Sequence, residues 1–258
     1  MMKKLLPLAI AAAFATGSVQ AATFINGDFE AGSLTGWTGG GGSFTSGSAP
    51  INPSTYVGGP ANNTIVGIGT DSITGASTTY GGQYAVRVND SINNYSVSTL
   101  TQTVNNYTDS SIFFAWNAVL EASHGLTNSD YFSLTLRDLT TSTDLVSRGY
   151  SSAGSIGGGT TGVTWSTFGR WYSTGWVVEQ IDLTTAGAGN TSIVGHDFAL
   201  TLLASDCPFG GHAGYVYLDG FGGTIPTQGG GVPEPASLAL MGLGVAAAAA
   251  TRRKKKSV

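Results

Sequence analysis

Cys207 and His212 share the loop Asp206-Cys207-Pro208-Phe209-Gly210-Gly211-His212. A thiolate and an imidazole are donors for a soft or borderline metal, but two donors do not make a site, and no Cys-x-x-Cys pair completes it. The competing role is structural, with Cys207 as a small buried residue and His212 bonding the loop backbone; it is the expectation here. A second cluster, Trp165, Phe168, Trp171, Tyr172 and Trp176, holds three of the chain's five tryptophans. Aromatic faces stack on sugar rings, and Arg170 between them can bond a hydroxyl or a carboxylate. The same rings can instead fill a core or cover a sheet edge. That packing role is expected of Trp176, whereas Trp165, Arg170 and Trp171 are the candidate glycan contacts. Catalytic motifs are missing: there is no Gly-x-Ser-x-Gly elbow, no His-Glu-x-x-His, and no phosphate-loop lysine. Ser123 and His124 are neighbours, which on a strand point to opposite faces. Carboxylate pairs of the glycosidase kind are not legible without their separation. The expectation is a protein that is not an enzyme, with a hydrolase of matrix glycans as an alternative.

Short strands must position these residues. Alternation of apolar and polar residues between Gly, Asn, Ser and Thr turns marks strands at 24–30, 64–68, 83–88, 96–104, 111–121, 130–139, 145–150, 171–183, 196–204 and 214–218. The aromatic stretch 111–121 reads as a central strand. Tyr215, Tyr217 and Asp219 share one face of the last strand, opposite Val216 and Leu218. From Thr38 to Gly82 the chain reads as largely irregular; Gly39 to Gly42 and the Pro50–Pro53 region are expected to form no regular element. No segment keeps a helical period. Eight to ten short strands predict an all-β, antiparallel β-sandwich of the jelly-roll kind.

The two ends are of a different nature. Lys3 and Lys4 precede an apolar run from Leu5 to Ala15, and Val19-Gln20-Ala21 presents small residues at a cleavage position. This is a Sec-type signal peptide, residues 1–21, for signal peptidase. At the other end, Val232-Pro233-Glu234-Pro235 leads into an apolar run, Leu238–Ala250, and then Arg252-Arg253-Lys254-Lys255-Lys256. The prolines keep Glu234 extended and outside the helix that follows. That helix would be roughly 20 Å long, against a bilayer core of about 30 Å. It is therefore either a short C-terminal anchor or a tag that is recognised and cut, with the basic run as a cytoplasmic stop.

Both ends carry most of the cations. Of the 11 Lys and Arg, seven lie in these ends, leaving Arg87, Arg137, Arg148 and Arg170 against 14 acidic residues. The core between them has no lysine and a formal charge near −10, not the −4 of the whole chain. Such a surface does not suit nucleic acid, whose affinity rests on cationic contacts. It suits divalent cations or a neutral or cation-bridged glycan. One cysteine permits no internal disulfide.

The tail resembles the PEP-CTERM sorting signal of Gram-negative bacteria that make exopolysaccharide. Pro233, Glu234, Pro235, Arg252 and Arg253 match its motif. The resemblance implies processing by an exosortase, transient anchoring in the inner membrane through this segment alone, and a final place at the cell surface or in the extracellular matrix. The order of the core's motifs carries a second resemblance. Asn26-Gly27-Asp28-Phe29-Glu30-x-Gly-x-Leu-x-x-Trp37, Gln102-Thr103-Val104 and Tyr215-x-Tyr217-x-Asp219 are similar to jelly-roll carbohydrate-binding modules and galactose-binding-like domains. In those domains the first and last strands are neighbours, often joined by a structural calcium. The counterparts here are Glu30 and Asp219, with Asp28, as hard oxygen ligands; the alternative is that these carboxylates cap backbone N–H groups. The chain thus divides into a signal peptide (1–21), a β-sandwich (22–225), a linker (226–231) and a sorting signal (232–258). The function implied is a non-catalytic exported protein of the exopolysaccharide or biofilm matrix, or a lectin-like module with a defined glycan site.

Overall fold

The computed structural model describes residues 23–125, 128–152 and 163–222. The segments expected to be the signal peptide, the linker and the sorting signal lie outside the described residues. Two antiparallel sheets face each other. The smaller runs β1 (Thr38–Ser43), β4 (Ser96–Val104), β11 (Phe198–Ser205), β6 (Tyr131–Asp138) and β7 (Thr143–Ser151). The larger runs β2 (Asn63–Gly67), β3 (Tyr84–Val88), β12 (Gly214–Gly222), β5 (Ser111–Glu121), β9 (Trp171–Ser173) and β8 (Ser166–Phe168), with β10 (Val177–Asp182) also on β5. The chain is an all-β sandwich. No described helix is long and apolar enough to cross a membrane.

The core lies between the sheets. Alternate residues of β5 (Ile112, Phe114, Trp116, Ala118 and Leu120) meet Leu134 and Leu136 of β6 and Leu200 and Leu202 of β11. Trp116 is fully buried, its ring 5.0 Å from that of Phe132. At the rim, Arg148 of β7 and Glu179 of β10 form a two-pronged ion pair at 2.8 and 2.9 Å. That geometry is the strong form of the interaction, and it ties an edge of one sheet to the other.

Three expectations about elements are corrected. The opening stretch 24–30 is a series of turns, not a strand. Asn26 and Phe29 have positive φ (51° and 59°), and the Asn26 carboxamide folds the segment by bonding Ala31 N–H and Ser33 C=O. Phe29 is thereby turned inward to stack on Trp37 at 5.1 Å. Gly39–Gly42, expected to be irregular, belong to β1, paired with β4 from Thr38↔Thr101 to Ser43↔Ser96. Their lack of side chains is what the position needs. A Cβ on Gly40 would stand 2.2 Å from the Tyr56 carbonyl, and one on Gly41 2.3 Å from that of Pro60. Successive strand residues point to opposite faces, so the 56–61 loop folds around both sides of this edge strand. Finally, 171–183 is not one strand. Thr174 and Gly175 (φ 60°) break it into β9 and β10, which pair with different lengths of β5.

Candidate functional site

The face of the larger sheet turned away from the core carries a row of rings. Tyr215 and Tyr217 stand on β12, and their strand neighbours Val216 and Leu218 enter the core, as the alternation predicts. Trp171 from β9 lies 6.0 Å from Tyr215, Tyr215 is 5.7 Å from Tyr217, Tyr217 is 6.2 Å from Trp176, and Trp176 is 5.8 Å from Tyr80. The two tyrosines in the middle are buried, whereas Trp171, Trp176 and Tyr80 remain partly exposed.

The middle is sealed by the 68–82 segment. Asp71, buried there, accepts both phenolic hydroxyls on one oxygen, Tyr215 at 2.7 Å and Tyr217 at 2.8 Å. Its other oxygen holds its own turn through the N–H groups of Ile73 and Thr74 and the Thr74 hydroxyl. Burial alone would raise the Asp71 pKa, but the bonds from Tyr215, Thr74 and Tyr217 outweigh it and hold the carboxyl below its ordinary value. Burial, with Asp71 next, pushes both phenols up, so they stay neutral. Trp176 is fixed from the same segment, its Nε1 donating to Ser77 C=O at 3.0 Å. Arg87 and Asn117 flank Tyr217 on the neighbouring strands. Arg87 Nε and Asn117 Nδ2 are buried donors with no partner among the described residues.

The structure separates the three expected glycan contacts. Trp171 belongs to this row. Trp165 packs on the inter-sheet core instead, edge-on to Tyr150 at 5.6 Å, so it cannot share a platform with Trp171. Arg170 is largely exposed and pairs with Glu121 at 3.0 Å. Sequence reasoning named Trp171 as a contact but expected only packing of Trp176, and it missed Tyr80 and Asp71, which come from a distant loop.

The carboxylates assigned to calcium lie at one place but with other partners. Glu30 accepts the N–H groups of Gln83 and Tyr84, and Asp219 those of Tyr80 and Gly81 at 2.7 and 3.0 Å. Asp28 accepts the N–H of Glu30 at 3.3 Å. Calcium takes six to eight oxygens. Here the hydrogens of four loop amides point at the carboxylates, and this donor set does not fit the ion. Burial, opposed by bonds from Gly81, Tyr80 and Gly220, raises the Asp219 pKa to about 7.

Residues 231–254 match the PEP-CTERM protein-sorting motif. No curated protein matches the chain by sequence. Solved structures are similar in outline. TmCBM61 in complex with β-1,4-galactotriose matches at 13% identity and TM-score 0.38, over 77% of this chain and 95% of that one. CBM28, a non-crystalline-cellulose-specific carbohydrate-binding module, matches at 10% identity and TM-score 0.38, over 76% and 92%. Caldicellulosiruptor saccharolyticus CBM27-1 in complex with mannohexaose matches at 11% identity and TM-score 0.37, over 80% and 97%.

Proposed function

We propose that this chain is an exported cell-surface or matrix protein, delivered by exosortase processing of its PEP-CTERM tail, whose sandwich holds a neutral exopolysaccharide on the aromatic row. The observation that carries the glycan reading is the row itself, with partly exposed tryptophans at 171 and 176 set in fixed orientation by a sealed floor. Rigid aromatic anchors bind at low entropic cost. An acidic core without lysine repels polyanionic chains, so the substrate class is neutral. The role is binding rather than turnover.

A glycan array probed with the exported protein tests this. Selective binding to neutral polysaccharides is expected, and Trp171→Ala should weaken it about tenfold or more, as truncation of an anchoring aromatic does. Trp165→Ala, on the core side, should leave affinity unchanged in whatever protein folds. An array without selectivity, or a Trp171→Ala protein that binds as wild type, would sink the glycan reading and leave a matrix component without a sugar site. Chromogenic glycosides and esters test the hydrolase alternative, and no turnover is expected. The sorting half has its own test. Alanines in place of Pro233-Glu234-Pro235 should leave the sandwich folded but block maturation, seen as accumulation of the uncut chain in the membrane fraction. Normal surface display of that variant would refute delivery by this tail.

A further inference from the structure

Away from the aromatic row, three ligand side chains converge where β5 ends. His124 lies in the connection from β5 to β6, and Cys207 and His212 lie in the loop between β11 and β12. One donor atom from each lies within 4.8 Å of the other two. The imidazoles of His124 and His212 meet edge to face, with centroids 4.5 Å apart. Cys207 is fully buried and His212 is 6% exposed, whereas His124 is exposed. Nδ1 of His212 is sealed from solvent and has no hydrogen-bond partner among the described residues. A buried polar nitrogen left unbonded costs about 1–3 kcal/mol, so its retention points to something that binds it.

The surrounding loop is closely hydrogen-bonded. Cys207 N–H bonds His212 C=O at 3.0 Å, and Gly210 N–H bonds Cys207 C=O at 3.2 Å. Asn93, with its amide oxygen turned to the loop, accepts the N–H groups of Gly211 and His212. Glu121 Oε2 accepts Ala213 N–H at 3.0 Å, next to His212, and the N–H of Glu121 itself bonds the buried Asp130 at 2.9 Å. Asp206, also buried, precedes Cys207. Glu121 pairs with Arg170 at 3.0 Å.

We propose that His124, Cys207 and His212 bind a zinc-class transition-metal ion. A thiolate and two imidazoles are the donors zinc prefers, with Zn–S about 2.3 Å and Zn–N about 2.0–2.1 Å. Tetrahedral ligands at those lengths stand roughly 3.3–3.6 Å apart, so modest side-chain rotations close the set. The thiol releases its proton to solvent on binding, giving up its present bond to Asn128 C=O. The fourth position opens beside exposed His124, to water or to a donor from outside. Copper ranks above zinc for nitrogen and sulfur donors, and its occupation of the same three residues is the same proposal. Calcium and magnesium, which need hard oxygens, are excluded. Cys207 and His212 were legible in the sequence as an incomplete pair; the fold supplies the third ligand from a different connection.

The test uses tag-free exported protein stripped with a chelator. Zinc titrated by calorimetry should bind one ion per chain, and cobalt should give a tetrahedral spectrum with a sulfur charge-transfer band. Calcium should compete with neither. Cys207→Ser should abolish the band. His124→Ala, at an exposed position, should fold as wild type in chelator and bind zinc at least about 100-fold more weakly, beyond the loss typical of an outer-sphere partner. Absence of stoichiometric zinc binding, or unchanged affinity in His124→Ala, overturns the proposal.

Discussion

Replacing Asp71 with alanine should cost the fold about 2–6 kcal/mol, at about 1–3 kcal/mol for each of two buried hydroxyls left without an acceptor. The reason lies in its two oxygens. One gathers the hydroxyls of Tyr215 and Tyr217 from the middle of the sheet, and the other holds the turn at Ile73 and Thr74. Without the carboxylate, two buried phenols lose their acceptor, each at about 1–3 kcal/mol, and the segment over the row is released. Chemical denaturation at neutral pH measures the loss. Tyr215→Phe with Tyr217→Phe separates the parts. It removes the phenols but leaves the turn, so it should cost less than Asp71→Ala, and the triple variant should fall short of the sum because the groups share one network. A loss below about 1 kcal/mol for Asp71→Ala would show that the segment does not depend on this carboxylate.

Asp219 should make the protein less stable as the pH rises from about 4 to about 7, opposite to the usual behaviour of a paired carboxylate. Its ordinary value is 3.8, and in the folded chain it is raised to about 7, first by burial. Within that window the native state keeps a proton that the unfolded chain has released. The unfolded state therefore binds fewer protons, and stability declines with pH. The full change is about 4 kcal/mol on the scale of 1.36 kcal/mol per unit. It is complete above the folded pKa and absent below the unfolded one. Urea unfolding across this range reads the slope, and Asp219→Asn, which cannot ionise, should make it shallower, with burial of Asp130 and Asp206 supplying the remainder. The same series decides on calcium. An ion held by Glu30 and Asp219 would favour the charged form and erase the decline. No response to calcium or EDTA is expected, because the loop amides already occupy these oxygens. A calcium-dependent rise in the unfolding midpoint near neutral pH would show that the loop turns its carbonyls inward to make the site.

β6 and β7 were legible because their side chains alternate between a core and a wetter face, and β5 because its aromatic, apolar run marks a strand covered on both faces; these are local signals. β4 and β5 fall on their expected bounds, and the opposed faces of Tyr215 and Val216 were readable from order alone. Elements whose reason is remote were not. Gly39–Gly42 carry no alternation, and only the close approach of the 56–61 loop explains why a strand there must be made of glycine. The opening Phe24–Glu30 has strand-like alternation, but Asn26 overrides it with side-chain bonds to its own backbone. The same divide runs through the site. Trp171 was visible as an aromatic beside others, yet its neighbour Trp165 was assigned to the same platform although the fold sends it to the core. Asp71 could not be found, since its partners lie more than half the chain away.

The doubling of the 56–61 loop around β1 bears on crowding. A bare edge strand is a template onto which another chain can add by backbone pairing, and a flat glycine-rich strand with no charged side chain would be among the worst defended. Here both faces of that strand are occupied by a loop of its own chain, and the approach a foreign strand would need is closed. A copy of the protein crowded against another is thereby denied backbone pairing at this edge of the smaller sheet.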